Sequence, residues 1–178
     1  MSSTVLAAPA SSAPASSAPN RADPRAGKYL TFTLGKEEFA IQVLRVREIM
    51  GVQEITAVPQ TPPYVKGVIN LRGKVIPVVD LRMKFGMPEL AYTQRTCIVV
   101  VQLEHAGMKV MTGVIVDGVS DVANMQGADI EDTPDFGRGV ATPYLLGMAK
   151  IKGKVKILLD IDRVLQAQEL DGLKSMLQ

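Results

Sequence analysis

Few side chains in this sequence are of a type that performs catalysis or holds a metal ion. The 178 residues include one histidine, His105, and one cysteine, Cys97. His105 lies in a predicted turn, His105-Ala106-Gly107, and has no second histidine or cysteine at ligand spacing. Cys97 begins the apolar run CIVVV, which favours a buried structural thiol over a reactive one. The sequence therefore predicts neither a metal site nor a nucleophilic cysteine.

Two aspartates, Asp80 and Asp160, are the acidic residues that recur at matching places along the chain. Each stands where a predicted strand meets a short helix, a position at which aspartate caps the helix N-terminus. A general acid–base pair is the weaker interpretation, because the two residues belong to separate copies of one segment. The glycines around Lys74 and Lys154 match neither glycine-rich phosphate-binding motif, and no cofactor is expected.

Both aspartates belong to a repeated segment that organises the chain. Residues 63–81, PYVKGVINLRGKVIPVVDL, return eighty positions later as residues 143–161, PYLLGMAKIKGKVKILLDI, and seven of the nineteen aligned positions are identical. Each copy predicts two strands joined by a tight turn at Gly73 or Gly153, since glycine supplies the backbone freedom that a hairpin needs. A repeated unit of this kind predicts a repeated fold.

The remaining parts of the two halves also match. A predicted hairpin at 29–41 corresponds to one at 96–116, and a spaced apolar set accompanies each, comprising Ile41, Val43, Val46 and Ile49 in the first half and Val114, Val116, Val119 and Val122 in the second. About five short strands per half predict an all-β fold of two five-stranded β-barrels formed by internal duplication. A short helix is predicted after each repeat, and barrels this small would gain stability by sharing a core.

Composition sets the boundaries of the folded part. Residues 1–27 are mostly alanine, serine and proline, which predicts a disordered tail. We expect the domain over 28–168, with strands from both halves in its two barrels, and a helical tail over 169–178. The start of the chain lacks the pattern of a signal peptide and no apolar run has the length of a membrane helix, so we expect a cytoplasmic protein.

Charge and aromatic content argue against a nucleic-acid partner. The net charge is +2, aromatic residues make up 4%, and tryptophan is absent, which also predicts an aliphatic core. Basic residues cluster around the first repeat at Lys66, Arg72, Lys74, Arg82 and Lys84, and acidic residues gather in the second half at Asp117, Asp121, Asp129, Glu131, Asp132 and Asp135. This asymmetry could orient partners, or the two groups could be merely solvated faces.

The order of several motifs resembles the CheW-like domain family of chemotaxis coupling proteins. These motifs are TFTLGKEEFAI, VREI, NLRGKVIPVVDL, VDGVSDV and ILLDI, and they extend over about residues 28–165. The resemblance implies two SH3-like barrels around a shared core, without enzymatic activity. It implies an adaptor that joins the histidine kinase CheA to the cytoplasmic tips of chemoreceptors, in arrays at the inner membrane. Pairing with the kinase or with other copies would build rings.

The same resemblance implies two contact surfaces. Receptor contacts are expected in the groove between the barrels, at Val46, Glu48, Lys66, Gly67, Asn70 and Arg72. Contacts with the kinase or another copy are expected at a barrel end, within 130–136, at Ile130, Glu131 and Phe136. Family members often carry a basic residue where this chain has Glu131, so the polarity of that contact stays open.

Alternative interpretations remain at this point. Val46 could belong to the core, Glu48 could be a solvated strand residue, Arg72 could simply flank a turn, and Phe136 could plug its own barrel. An enzyme would require a polar cleft with convergent groups, which the sequence does not predict. A coupling protein of the same family in another motility or developmental pathway is the closer alternative.

Overall fold

The computed structural model of the chain describes residues 23–105, 107–133 and 144–165. Within these parts the strands are β1 (Gly27–Leu34), β2 (Glu37–Gln42), β3 (Val46–Gly51), β4 (Val65–Leu71), β5 (Lys74–Asp80), β6 (Cys97–His105), β7 (Met108–Val116), β8 (Gly118–Met125), β9 (Ile130–Glu131), β10 (Leu145–Ile151) and β11 (Lys154–Leu159). Two one-turn helices, α1 (Leu81–Lys84) and α2 (Ile161–Val164), follow the repeat hairpins as predicted. Neither has the length to span a membrane, and the described residues contain no other candidate.

The strands form two sheets that share one plan. The six-stranded sheet has the order β8-β1-β2-β11-β10-β9, and the five-stranded sheet has the order β3-β6-β7-β5-β4. In each sheet a central hairpin has a single strand on one side and a repeat hairpin on the other, joined through a parallel pair. The predicted all-β, SH3-like architecture is confirmed, although the described strands do not close either sheet into a complete barrel.

The two halves of the chain exchange their first hairpins. β1 and β2 of the first half lie in the six-stranded sheet with β8 to β11, whereas β6 and β7 of the second half lie in the five-stranded sheet with β3 to β5. The chain therefore crosses between the sheets at residues 43–45 and 117, whereas the connection at 81–96 joins β5 to β6 within the five-stranded sheet. Each sheet requires strands from both halves, so the halves must fold as one unit.

Hydrophobic side chains form one core between the sheets and one inside each sheet. On β6, Val99 and Val101 face the shared core, whereas Ile98 and Val100 face the inside of the five-stranded sheet. Both faces of β6 are buried, which explains its unbroken apolar run. Full burial of each such aliphatic side chain stabilises the fold by about 1.5–3 kcal/mol.

The prediction of a purely aliphatic core was wrong in one region. Phe32, Phe39, Phe85 and Tyr144 form a row of aromatic rings against the shared core, with successive ring centroids 6.0, 5.8 and 6.4 Å apart. The row connects β1 and β2 to the segments after α1 and before β10. A low aromatic content limits the number of rings, but it does not prevent the fold from gathering them at one place.

The repeated aspartates cap the two helices, as predicted. The Asp80 carboxylate accepts hydrogen bonds from the backbone N–H groups of Arg82 (2.9 Å) and Met83 (3.4 Å) at the start of α1. Asp160 caps α2 in the same way. A helix of one turn has no internal partner for its first N–H groups, so the capping carboxylate supplies them.

Three local predictions need correction. His105 is the last residue of β6 and pairs with Met108, so the connection is one residue shorter than predicted. Ile49 and Val122 do not belong to the core and are 44% and 50% exposed. Ile49 lies opposite Val99 and Val122 lies opposite Leu30, so both are on the sheet face that bears the shared core. Both belong to edge strands, β3 and β8, where one side of the residue has no neighbouring strand.

The last five residues of the tail predicted over 1–27, residues 23–27, are described by the structure and contact the folded part. Arg25 forms ion pairs with Asp23 (2.8 Å) and Asp132 (3.0 Å) and donates a hydrogen bond to the carbonyl of Leu146 (3.0 Å). These contacts tie the start of β1 to the segment after β9 and to β10. The rest of the predicted tail, and the helical tail predicted over 169–178, lie outside the described residues.

The Arg25 anchor predicts an unusual titration of Asp23. Hydrogen bonds from Arg25 lower the Asp23 pKa from 3.8 to about 2. A group with a depressed pKa stabilises the fold above its unfolded value, so this stabilisation should be complete above pH 3.8 and lost as the pH falls through about 2. We expect Arg25→Ala to return the Asp23 midpoint, measured by carboxyl-carbon NMR, toward 3.8, and Lys28→Ala to leave it unchanged. A wild-type midpoint near 3.8 would rule out the anchor.

Candidate functional site

The turn between β4 and β5 holds an arginine at its apex. Arg72 and Gly73 have positive φ angles of 52° and 82°, the signature of a type I′ hairpin turn. The side chain of Asn70 accepts a hydrogen bond from the Gly73 N–H (3.0 Å) and stabilises the turn. A non-glycine residue in this region costs about 1 kcal/mol or more. The second repeat has the same geometry, with Lys152 at a φ of 51°.

Arg72 reaches across the sheet to the opposite edge. Its guanidinium lies 3.3 Å from the Glu48 carboxylate of β3, and the side chains are 79% and 30% exposed. β3 and β4 are the two edge strands of the five-stranded sheet, so the ion pair spans the gap between them. An exposed pair of this kind contributes only about 0–1 kcal/mol to stability. Both charged groups therefore remain available to a partner at little cost to the fold.

The structure brings three of the predicted receptor residues together and explains a fourth. Glu48, Asn70 and Arg72 lie around the β4–β5 turn, and we call these three residues the turn cluster. Val46 is half-buried against the shared core, in line with the structural alternative. The β3 register shifts between Val46 and Glu48, a bulge that changes the direction of the strand just before Glu48.

Gly67 has a structural function that the sequence did not reveal. Its φ is 138°, and a Cβ at this position would overlap the Thr56 carbonyl, at 2.7 Å from its carbon. Thr56 and Val68 exchange two backbone hydrogen bonds of 2.9 and 2.8 Å, so the chain after β3 pairs with β4. Gly147 stands in the same relation to β9 in the other sheet. Gly67 thus shapes the site by allowing this close approach.

Lys66 belongs to a different part of the surface. Its ammonium pairs with the Glu89 carboxylate, and Lys66 lines a pocket of about 310 Å³ with Ile55, Leu90, Ala91 and Tyr92. Burial acts against the charged form, but the hydrogen bond to Glu89 and nearby acidic groups raise the Lys66 pKa overall. Six residues of strand separate Lys66 from Arg72, roughly 20 Å. The structure does not bring Lys66 to the turn cluster.

The predicted kinase and assembly contact lies on the six-stranded sheet. Glu131 is exposed, and its carboxylate lies 3.4 Å from the ammonium of Lys150 on the neighbouring β10. Ile130 is 7% exposed and packs inside this sheet, so its side chain offers no contact area. Phe136 lies outside the described residues. The described part of this surface is therefore the Glu131–Lys150 edge.

A cavity of about 250 Å³, lined by both charged and apolar residues, was not predicted from the sequence. It lies under the 86–96 connection and is lined by Asp80, Arg82, Tyr92, Arg95 and Asp117, among others. Burial raises the pKa values of Asp80 and Tyr92, although backbone hydrogen bonds partly oppose the shift at Asp80. Asp80 already caps α1, and Arg82 already pairs with Asp117. The part of the chain that the structure describes contains no acidic, histidine or cysteine cluster suited to a metal ion.

Many of the charges that the sequence separates into two groups are paired within the chain. Arg82 of the basic group forms an ion pair with Asp117 of the acidic group, so the two groups are in contact at this point. Asp121 accepts a hydrogen bond from the Val122 N–H (2.7 Å), and Asp129 accepts one from the Gln126 N–H (3.1 Å). Asp135 lies outside the described residues. These contacts favour individual paired charges over two opposed charged faces.

Comparisons with known proteins agree with this architecture. Residues 28–169 match the family model described as CheW-like domain. The chain is 39% identical over 143 residues to the chemotaxis protein CheW of Klebsiella aerogenes, covering 80% of this chain and 84% of the relative. It is 36% identical over 143 residues to the chemotaxis protein CheW of Rhizobium meliloti, covering 80% and 90%.

A solved structure supports the same relationship. The crystal structure of the scaffolding protein TtCheW from Thermoanaerobacter tengcongensis superposes with a TM-score of 0.70 at 30% sequence identity. The match covers 81% of this chain and 95% of the solved one. The similarity therefore extends over both sheets and not only over the repeated hairpins.

The close approach at Gly67 predicts a large loss of stability on substitution. Gly67→Ala should lower the free energy of unfolding by about 3 kcal/mol or more, because the Cβ would push Thr56 away from β4 at a strained φ. Gly51→Ala on β3 is the matched control, since a Cβ there meets open space, and should change stability by less than about 0.5 kcal/mol. Urea unfolding measures both. Equal stabilities for the two variants would contradict the proposed role of Gly67.

Proposed function

Because the chain belongs to the CheW-like domain family, we propose that it is a non-enzymatic adaptor of chemotaxis signalling. It joins the histidine kinase CheA to the cytoplasmic tips of chemoreceptors. The observation that carries this proposal is the turn cluster, in which a rigid hairpin presents an exposed ion pair that the fold scarcely needs. Charged groups held in this way suit recognition of another protein better than stabilisation of their own.

The turn cluster has the chemistry to bind a receptor helix. The Arg72 guanidinium can leave Glu48 for a carboxylate of the partner, where it can form two parallel hydrogen bonds. Glu48 is then free to accept a basic or amide group. The capped hairpin turn fixes the backbone of Arg72 before binding, which reduces the entropy lost on association.

The kinase, or a second copy of the chain, binds at the Glu131–Lys150 edge of the six-stranded sheet. This edge is formed by β9, a strand of two residues whose outer side has no described strand partner. Phe136 is also part of the proposed contact. Because the turn cluster lies on the five-stranded sheet, a receptor and a kinase can occupy the adaptor together, and the shared core connects the two sites.

Arg72→Ala and Glu48→Ala should each weaken binding of a receptor cytoplasmic fragment by about tenfold or more. The thermal midpoint should change little, because the pair is exposed. Lys152→Ala is the matched control: it removes a basic residue from the equivalent turn of the other repeat, and receptor affinity should stay within about threefold of wild type. Unchanged affinity in both turn-cluster variants would remove this site assignment.

Glu131→Lys should change binding to the kinase without changing binding to the receptor, because the two surfaces lie on different sheets. The substitution would also place like charges at positions 131 and 150 and break the present ion pair, so Lys150→Ala separates that effect from a direct contact. Co-sedimentation with the receptor fragment and CheA, with kinase activity measured in the pellet, tests both surfaces. Failure of the wild-type chain to recruit either protein would overturn the proposed function.

A further inference from the structure

One charged contact joins the two sheets where the chain passes from β7 to β8. Arg82 of α1, which follows the five-stranded sheet, pairs with Asp117 at the crossing. The Asp117 carboxylate also accepts a hydrogen bond of 2.6 Å from the N–H of Gly35, in the β1–β2 turn of the six-stranded sheet. The Arg82 side chain is 9% exposed. We call Arg82, Asp117 and Gly35 the first clamp.

A second contact of the same design joins the sheets where the chain passes from β2 to β3. Asp162 of α2, which follows the six-stranded sheet, pairs with Arg45 at the crossing (2.7 Å). The Asp162 carboxylate also accepts a hydrogen bond of 3.2 Å from the N–H of Glu104, on β6 of the five-stranded sheet. We call Arg45, Asp162 and Glu104 the second clamp.

The two clamps have opposite polarity at equivalent places. Arg82 and Asp162 are aligned by the eighty-residue offset of the repeat, yet one is basic and the other acidic. The residue at the crossing has the opposite charge in each clamp: it is the acidic Asp117 in the first clamp and the basic Arg45 in the second. The sequence did not predict either ion pair, because the two residues are 35 positions apart in the first clamp and 117 positions apart in the second.

The inversion favours one pairing of the halves over another. In the observed fold each helix meets a crossing from the other half of the chain. If each half kept its own hairpin instead, Arg45 would face Arg82 and Asp117 would face Asp162. The shared apolar core cannot make this distinction, because hydrophobic burial is non-directional and both halves are apolar at matching positions. Like charges at a partly buried contact are unfavourable and exclude the alternative.

We propose that these two clamps select the exchanged arrangement and fix the angle between the sheets. Arg45, Arg82, Asp117 and Asp162 are thus positioning residues: they touch neither proposed contact surface, but they set the turn cluster relative to the Glu131–Lys150 edge. The effect on signalling rests on the proposed function. The effect on the angle between the sheets does not.

A change in the relative placement of the two sheets can be detected as a change in the distance between two spin labels, attached to cysteines at positions 74 and 150 in a Cys97→Ser background. Lys74 lies on the five-stranded sheet and Lys150 on the six-stranded sheet, both exposed. We expect one narrow distance distribution in the parent protein, in Arg45→Lys and Arg82→Lys, and in Lys28→Glu, a charge-reversal control outside both clamps. Arg45→Glu and Arg82→Glu should shift or broaden the distance distribution. Arg45→Gln and Arg82→Gln should broaden it, and these two variants replace the charge reversals if the reversals do not fold.

Signalling is measured in parallel on the unlabelled chain. In the Glu variants the separate affinities for receptor and kinase should stay within about threefold, while receptor control of kinase activity in the ternary complex falls about tenfold. An unchanged distance distribution in the folded Gln and Glu variants would overturn the clamps. Altered distances with intact kinase control would overturn their positioning role. Absence of wild-type binding would instead refute the proposed function and leave the distance result to decide the clamps.

Discussion

Two parallel strand pairs, β2 with β11 and β5 with β7, are the contacts on which the rest of the structure depends. Each pair joins a hairpin of one half to the repeat hairpin of the other. A hairpin alone is marginal in water, so without these pairs the repeats would remain unstable elements. With them, the sheets curve around separate interiors and press their other faces together. The shared core is the result of this exchange, and it makes the two sheets one cooperative body.

The same exchange determines which strands lie at the sheet edges. Sheet edges invite uncontrolled strand pairing, and both sheets limit this by folding the following segment back onto the far edge. Glycines at the two equivalent positions, Gly67 and Gly147, permit this close approach. The far edge is thereby covered by the Thr56–Val68 bridge in the five-stranded sheet and by the two-residue strand β9 in the six-stranded sheet. Under the proposed function, the charged side chains beside these edges are the features that a partner protein would recognise.

The repeat made much of the fold predictable, and its limits explain what was missed. Tight turns and helix caps depend on a few adjacent residues, so the roles of Gly73 and Asp80 could be predicted from the sequence. Strands from both halves were expected in the two barrels, but the two similar plans give no sequence signal for which hairpin joins which repeat. Glu48 and Arg72 lie together in the turn cluster, whereas Lys66 pairs with Glu89 at a different part of the surface. Long-range ion pairs carry no local pattern.

Duplication gives equal folds, and single side chains then make the two sheets different. Arg72 and Lys152 occupy the same strained turn position, and Glu48 and Asp121 occupy the same place on the edge strand. Glu48 is long enough to reach Arg72 across the gap. Asp121 is shorter by one methylene, and its carboxylate accepts a hydrogen bond from the adjacent Val122 N–H instead. The two edges therefore differ both in the length of the acidic side chain and in the basic residue at the turn, and only the first has a cross-sheet ion pair between these positions. An adaptor that must bind two different partners needs this kind of asymmetry, and the duplicated backbone can provide it without any change of fold.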